Sequence, residues 1–132
     1  MSFGLVTGLA GCASTFSTDN LVECAAAGEL VYLEDLGNEN RLNEKGIYPR
    51  PNILAHNAAR SAQIARLRLH DRDQVSYDDP RLKLLNFPEV NPDIQAKISD
   101  SIEKLRASPR ANINGINRRC NRLVKQAIAE AE

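Results

Sequence analysis

Ser108-Pro109 sits between two stretches whose apolar residues recur at three- and four-residue steps, and this pair of periodic tracts constrains the fold more than any other feature of the chain. Before the break, Ile94, Ile98, Ile102 and Leu105 fall on one helical face. Asn91 is suited to N-cap that helix, Pro92 to its first position and Asp93 to the positive end of its dipole. After the break, a second helix is expected from about Ala111 to Ala131, with a stripe of Ile113, Ile116, Cys120, Leu123/Val124, Ala127 and Ala131. Two amphipathic helices joined by a short Pro-containing turn predict an antiparallel helical hairpin at the C-terminus.

The rest of the chain also reads as helix. Leu21 to Leu36 is Ala-rich and is expected to start near Asn20, with Asp19 adding N-cap chemistry. Gly28 is its weak point. A short helix ending there, with a strand-like Glu29-Leu30-Val31-Tyr32-Leu33 after it, satisfies the same pattern. Residues 37–52 hold two Gly, two Pro and four Asn and are expected to be a loop. A third helix runs from Ile53 to Leu69. Its narrow stripe is Ile53/Leu54, Ala58, Ala62, Ala65 and Leu69, with Arg60, Arg66, Arg68 and Arg72 clustered toward the negative end of its dipole. Residues 70–80 read as a charged loop, and Leu82, Leu84, Leu85, Phe87 and Val90 as packing contacts in a short irregular stretch.

With 132 residues, the chain is long enough for one domain with its own core. It holds three Phe, three Tyr and no Trp, so that core must be aliphatic. The expected fold is all-α: a small irregular helical bundle over residues 21–132 closed by the C-terminal hairpin, preceded by an apolar and tether-like segment, residues 1–20. No run approaches the ~18 apolar residues of a spanning helix. The net charge is zero but unevenly spread: residues 1–50 carry −4 and residues 51–132 carry +4. Opposed ends can attract within one fold, pair between subunits, or present the basic part to an anionic partner.

Leu9-Ala10-Gly11-Cys12 resembles the bacterial lipoprotein box. In that family a signal peptide is cut before the cysteine, whose thiol then carries lipid; small residues before the cut let the peptidase approach the backbone. The resemblance covers only about residues 3–14. It implies lipidation at Cys12, a polar tether over residues 14–20, and residence at the cell envelope. Ala13-Ser14, with no Asp after the cysteine, is compatible with sorting to an outer membrane. The other reading is an uncleaved Gly-rich segment, with Gly4, Gly8 and Gly11, that packs into the fold or a neighbouring subunit, as in a virion. Three cysteines cannot all pair. One bridge with a free or modified third thiol satisfies the count, as do three buried thiols. A lipidated Cys12 leaves Cys24 and Cys120 able to form a disulfide.

No catalytic or cofactor motif stands out. Cys12, Cys24, Cys120, His56 and His70 are the only Cys and His residues and carry no family signature; Cys120, on an apolar stripe, reads as buried packing. His70, Asp71, Asp73, Asp78 and Asp79 resemble a calcium loop only loosely. Val75 takes a ligand position, a central Gly is missing, and Leu82 stands at position twelve. No metal or cofactor is therefore expected. Arg110, Arg118, Arg119 and Arg122, interleaved with Asn112, Asn114, Asn117 and Asn121, make the last helix the best candidate partner-binding surface. It lacks the stacking aromatics and reader motifs of nucleic-acid modules, so protein subunits are the expected partners ahead of nucleic acid. The reading is a non-enzymatic structural or assembly protein, lipid-anchored at the envelope through Cys12, with a virion component and a nucleic-acid module as alternatives.

Overall fold

A computed structural model of the chain describes residues 16–132, and within them every regular element is helical. Helix α1 spans Thr18–Val31 and continues through a π-helical turn, Tyr32–Leu36, into α2, Gly37–Glu44. Helix α3 spans Ile53–Asp71, α4 Pro92–Arg106 and α5 Arg110–Ala131. A single 3-10 turn, Pro80–Leu82, interrupts the long connection between α3 and α4.

Helix α1 is the centre of the bundle. Residues 24–31 are buried without a break, on every side of the helix. This explains why the sequence shows no amphipathic stripe there: α3, α4 and α5 all pack on α1. Gly28 is the point of closest approach to α3. A Cβ on Gly28 would lie 2.7 Å from Ala62 Cβ and closer still to the Ala58 carbonyl oxygen. What reads as a weak point in helix propensity is the residue that lets two helices of small side chains pack backbone to backbone. The strand alternative for residues 29–33 is thereby replaced by helix.

The start of α1 corrects a second expectation. Ser17, not Asp19 or Asn20, caps the helix. Its Oγ accepts from Asn20 N–H at 3.1 Å, and Asn20 Oδ1 accepts from Ser17 N–H at 3.3 Å. The helix therefore begins inside the stretch expected to be tether, whose remainder, residues 1–15 with Cys12, lies outside the described residues. The loop expected over residues 37–52 is shortened by α2. That helix has no buried residue, and the Arg41 side chain donates to Asn38 Oδ1 at 3.4 Å along it. Gly46, at φ +80°, ends it by taking the left-handed conformation that Gly adopts cheaply.

The two C-terminal helices stand where their stripes place them. Asn91 Oδ1 accepts from Ile94 N–H at 2.9 Å, and Ile94, Ile98, Leu105, Ile113, Ile116, Cys120, Leu123 and Ala127 are buried. The Ser108-Pro109 turn joins them as expected. They do not lie along one another as a hairpin pair, however: α4 packs on α1, and α5 packs on α3 and α1. Each apolar stripe finds the buried central helix instead of its neighbour in sequence.

Helix α3 differs most from its reading. Ala58, Ala62, Ala65 and Leu69 are buried as expected, but Ile53 and Leu54 are 68% and 80% exposed. Arg66 and Arg68, placed by the sequence near the negative end of the dipole, are buried. Arg66 forms a two-pronged ion pair with Glu29 of α1, at 2.6 and 3.1 Å, and donates to the Pro88 carbonyl at 2.9 Å. Gln63 donates to the carbonyls of Arg81 and Leu84, and Arg60 to that of Leu82. Three side chains at three-residue steps on α3 thus satisfy the backbone of the irregular connection and hold it on the bundle.

A disulfide joins Cys24 of α1 to Cys120 of α5, with Cα atoms 5.6 Å apart at a sequence separation of 96. Cys120 is buried as its stripe position predicts, but as half of a cross-link and not as a free apolar thiol.

Candidate functional site

The four arginines singled out on the last helix divide between two places. Arg110 and Arg118 line a cleft of about 360 Å³ where the end of α1, the start of α3 and the first half of α5 meet. Arg119 and Arg122 line a smaller hollow of about 180 Å³ beside the Cys24–Cys120 disulfide. In the hollow, Arg119 pairs with Glu23 at 3.5 Å. The Arg122 and Arg68 guanidinium groups lie 5.5 and 5.6 Å from the centre of the Phe16 ring, a cation–π arrangement that anchors the start of α1 to α3 and α5. Burial of Arg68 lowers its pKa from the usual arginine value. These two arginines serve the packing of the chain.

The cleft is different in character. Its inner wall is apolar, with Val31, Ala55, Ala58 and the exposed Leu54. Its α5 side is an amide stripe. Asn114, Asn117, Arg118 and Asn121 fall at i, i+3, i+4 and i+7, which places them on one face of a helix. Asn52 and Asn57 approach from the start of α3. The Asn52 side chain caps α3 by accepting from Ala55 N–H at 3.0 Å. The side chains of Asn57, Asn114 and Asn121 make no hydrogen bond among the described residues. Asn117 Nδ2 donates weakly to the Ala27 carbonyl at 3.4 Å, while its Oδ1 is buried with no hydrogen-bond partner among them. No aromatic ring of the described residues lines the cleft.

Charge in the cleft is also specific. Arg110 is engaged by Asp35 at 2.7 Å and Glu34 at 3.3 Å, both carried on the π-helical turn that ends α1. Arg118 is exposed and meets no acidic group among the described residues. Leu54 of the cleft is also the end of a segment with four exposed large apolar side chains, Ile47, Tyr48, Ile53 and Leu54, set around Pro49 and Pro51 in sequence.

The remaining candidates separate by chemistry. Cys24 and Cys120 are disulfide-bonded and present no thiolate, and Cys12 lies outside the described residues. His56 is exposed on α3. His70 meets Asp71 at 2.6 Å. Asp71 and Asp79 of the acidic loop converge on Arg81, each at 2.7 Å, so a guanidinium already occupies the centre of that cluster. Hydrogen bonds from Arg81 and His70 hold the Asp71 carboxyl down to a pKa of about 2, and Arg81 likewise lowers Asp79. Among the described residues no group of three or more His, Cys, Asp or Glu is arranged to hold a metal ion, and no helix is long and apolar enough to cross a membrane.

No family model, curated protein or solved structure matches the chain, so the site rests on its own geometry. Two of its members, Arg110 and Arg118, belong to the arginine set read from the sequence. Asn114, Asn117 and Asn121 were read beside those arginines as part of one surface on the last helix; what the sequence did not indicate is that Asn52, Asn57, Leu54 and Val31 meet them to form a cleft, or that Arg119 and Arg122 lie elsewhere.

Proposed function

We propose that the chain is a non-enzymatic binding and assembly protein, held at a bacterial envelope by lipid on Cys12 and engaging other proteins through the α3–α5 cleft and the exposed apolar stretch that ends at Leu54. The observation that carries this reading is the Cys24–Cys120 disulfide. Structural disulfides persist in oxidising, extracytoplasmic compartments and are rare where thiol reductants are abundant. Pairing Cys24 with Cys120 leaves Cys12 of the three cysteines outside the bridge, and Cys12 is the residue of Leu9-Ala10-Gly11-Cys12 that the lipoprotein box modifies. The two facts, one from packing and one from sequence, point to the same compartment.

Protein partners are favoured over nucleic acid by the fate of the arginines. Arg110 and Arg119 are paired with acids and Arg122 lies on Phe16, so the basic residues of α5 do not form one unpaired cationic face. Exposed Ile47, Tyr48, Ile53 and Leu54, the last of them in the cleft, bring large apolar side chains to solvent within one short segment, as interaction surfaces do.

The experiment is the intact mass of the protein isolated from its natural source. A mass equal to residues 12–132 with acyl groups is expected. A mass retaining residues 1–11 would remove the anchor and return the N-terminal segment to the folded or assembled structure.

A further inference from the structure

We infer that the α3–α5 cleft is a binding site for an extended peptide segment that presents one carboxylate beside an apolar side chain, with the amide stripe of α5 reading the peptide backbone and Arg118 taking the acid. This deepens the protein-binding reading above and rests on it.

An asparagine side chain matches a peptide unit in what it offers. Its carboxamide carries a donor and an acceptor side by side, the same pair that a peptide unit presents, so one Asn can hydrogen-bond a backbone N–H and C=O together. An extended strand has no internal hydrogen bonds and needs such partners along its whole length. Asn114 and Asn121 are seven residues apart on α5. At a rise of about 1.5 Å per residue they are roughly 10 Å apart along the axis, the length of about three residues of extended chain. Neither amide is engaged by a described residue, and Asn57 faces them in the same state from α3. Asn117, between them, holds a buried acceptor without a donor, which is costly to leave unmade.

The walls select the side chains. Successive side chains of an extended chain point to opposite sides. One side of the cleft is the apolar surface of Leu54, Ala55 and Val31, and at its rim stands Arg118, the cleft arginine that no acid of the described residues engages. An acidic residue next to an apolar one meets both. The neighbouring Arg110 is already held by Asp35 and Glu34, so the site takes one carboxylate and not a polyanion. The same features disfavour other ligands. Sugar rings and unstacked bases are held on aromatic faces, and none of the described residues brings one to the cleft.

The test is an NMR titration of the isotopically labelled full chain, disulfide intact, with the blocked peptide acetyl-Ala-Leu-Asp-Leu-Ala-amide. Its counterpart with Lys in place of Asp and the sugar chitotetraose serve as competing probes. The expected result is perturbation of the side-chain amide signals of Asn114, Asn117 and Asn121 by the acidic peptide. Its affinity should exceed that of the lysine peptide and fall about tenfold in Arg118→Ala, the loss of one charge-assisted contact. Asn114→Ala and Asn121→Ala should weaken both peptides alike, and exposed Lys97→Ala, outside the cleft, should change neither. No perturbation at millimolar peptide, equal affinity for the Asp and Lys peptides, an unchanged affinity in Arg118→Ala, or stronger binding of chitotetraose at the same signals would each overturn the inference. Because the intact mass is measured independently, peptide binding by an unlipidated protein removes the anchor alone, and a lipidated protein that ignores the peptides removes the cleft alone.

Discussion

Replacing Gly28 by Ala sets two physical effects of opposite sign against each other. In a solvent-exposed helix interior the change would stabilise by about 1 kcal/mol, because Ala has less backbone freedom to lose. In this fold the new methyl would stand 2.7 Å from Ala62 Cβ and nearer still to the Ala58 carbonyl oxygen. Carbon atoms in contact prefer about 3.5–4.0 Å, so α1 and α3 must move apart by something near an ångström. The obstruction is helix backbone, which cannot swing aside as a long side chain would. Overpacking of this kind costs about 1–3 kcal/mol, and a clash with backbone belongs at the upper end. The balance is a net loss of about 1–2 kcal/mol. Urea denaturation of the oxidised protein would report it as a lower midpoint with an unchanged slope. The variant Ala62→Gly in the same background should recover part of the loss by removing one of the two clashing groups. A midpoint that stays put or rises in Gly28→Ala would refute the close approach of α1 and α3, and with it the account of why α1 is buried on all sides.

Arg66→Leu should cost about 3–5 kcal/mol, because it strands the buried Glu29 carboxylate, while Arg66→Leu with Glu29→Leu should cost clearly less than the sum of the two single changes; chemical denaturation of all four proteins measures the coupling. Reduction of Cys24–Cys120, or the pair Cys24→Ala and Cys120→Ala, should lower stability by about 2–5 kcal/mol, since the bridge closes a loop of nearly the whole described chain, and thermal unfolding with and without reductant reads the difference. The Asp71 carboxyl is held near a pKa of about 2 against an ordinary 3.8, so its pairing with Arg81 stabilises the fold above the ordinary value and that contribution is lost as pH falls from about 4 to about 2. Asp71→Asn should therefore flatten the acid-unfolding curve in that window; an identical acid curve would show that the pair contributes nothing measurable.

What could be read from the sequence follows the physics of each segment. Helices α4 and α5 were legible because each has one apolar face and a clear boundary: Asn91 and Pro92 open α4, and Ser108-Pro109 separates it from α5. Helix α1 gave a weaker signal because burial on every side erases periodicity, and its true cap, Ser17, sits three residues before the Asn20 expected to start it. Helix α2 was hidden by its own composition. Gly37, Asn38, Asn40 and Asn43 are turn formers, and the π-helical turn before them shifts the helical phase. Arg66 and Arg68 were read only as cations at the negative end of the α3 dipole, because burial of an arginine depends on partners far along the chain: Glu29 is 37 residues from Arg66. Ile53 and Leu54 matched the stripe in spacing, but in that first turn it is Ala55 that faces the bundle, in line with Ala58, Ala59 and Ala62, so its two larger neighbours point outward. The candidate cleft was half legible. Its α5 arginines and asparagines stood out together along one helix, whereas Asn52, Asn57, Leu54 and Val31 did not, because they reach the cleft only once α1 and α3 are packed against α5. The cysteine pairing was undecidable from spacing, because a separation of 96 residues carries no geometric information until α1 and α5 are packed together.

The most direct test of the central claim, that the chain works in an oxidising compartment at an envelope, is the chemical state of its three cysteines in the natural source. Cells are quenched with an alkylating reagent before lysis, and the protein is digested without reduction and mapped by mass spectrometry. A peptide pair joined through Cys24 and Cys120, together with an acylated N-terminal Cys12, is the predicted result. Recovery of Cys12, Cys24 and Cys120 as three separately alkylated thiols would contradict it.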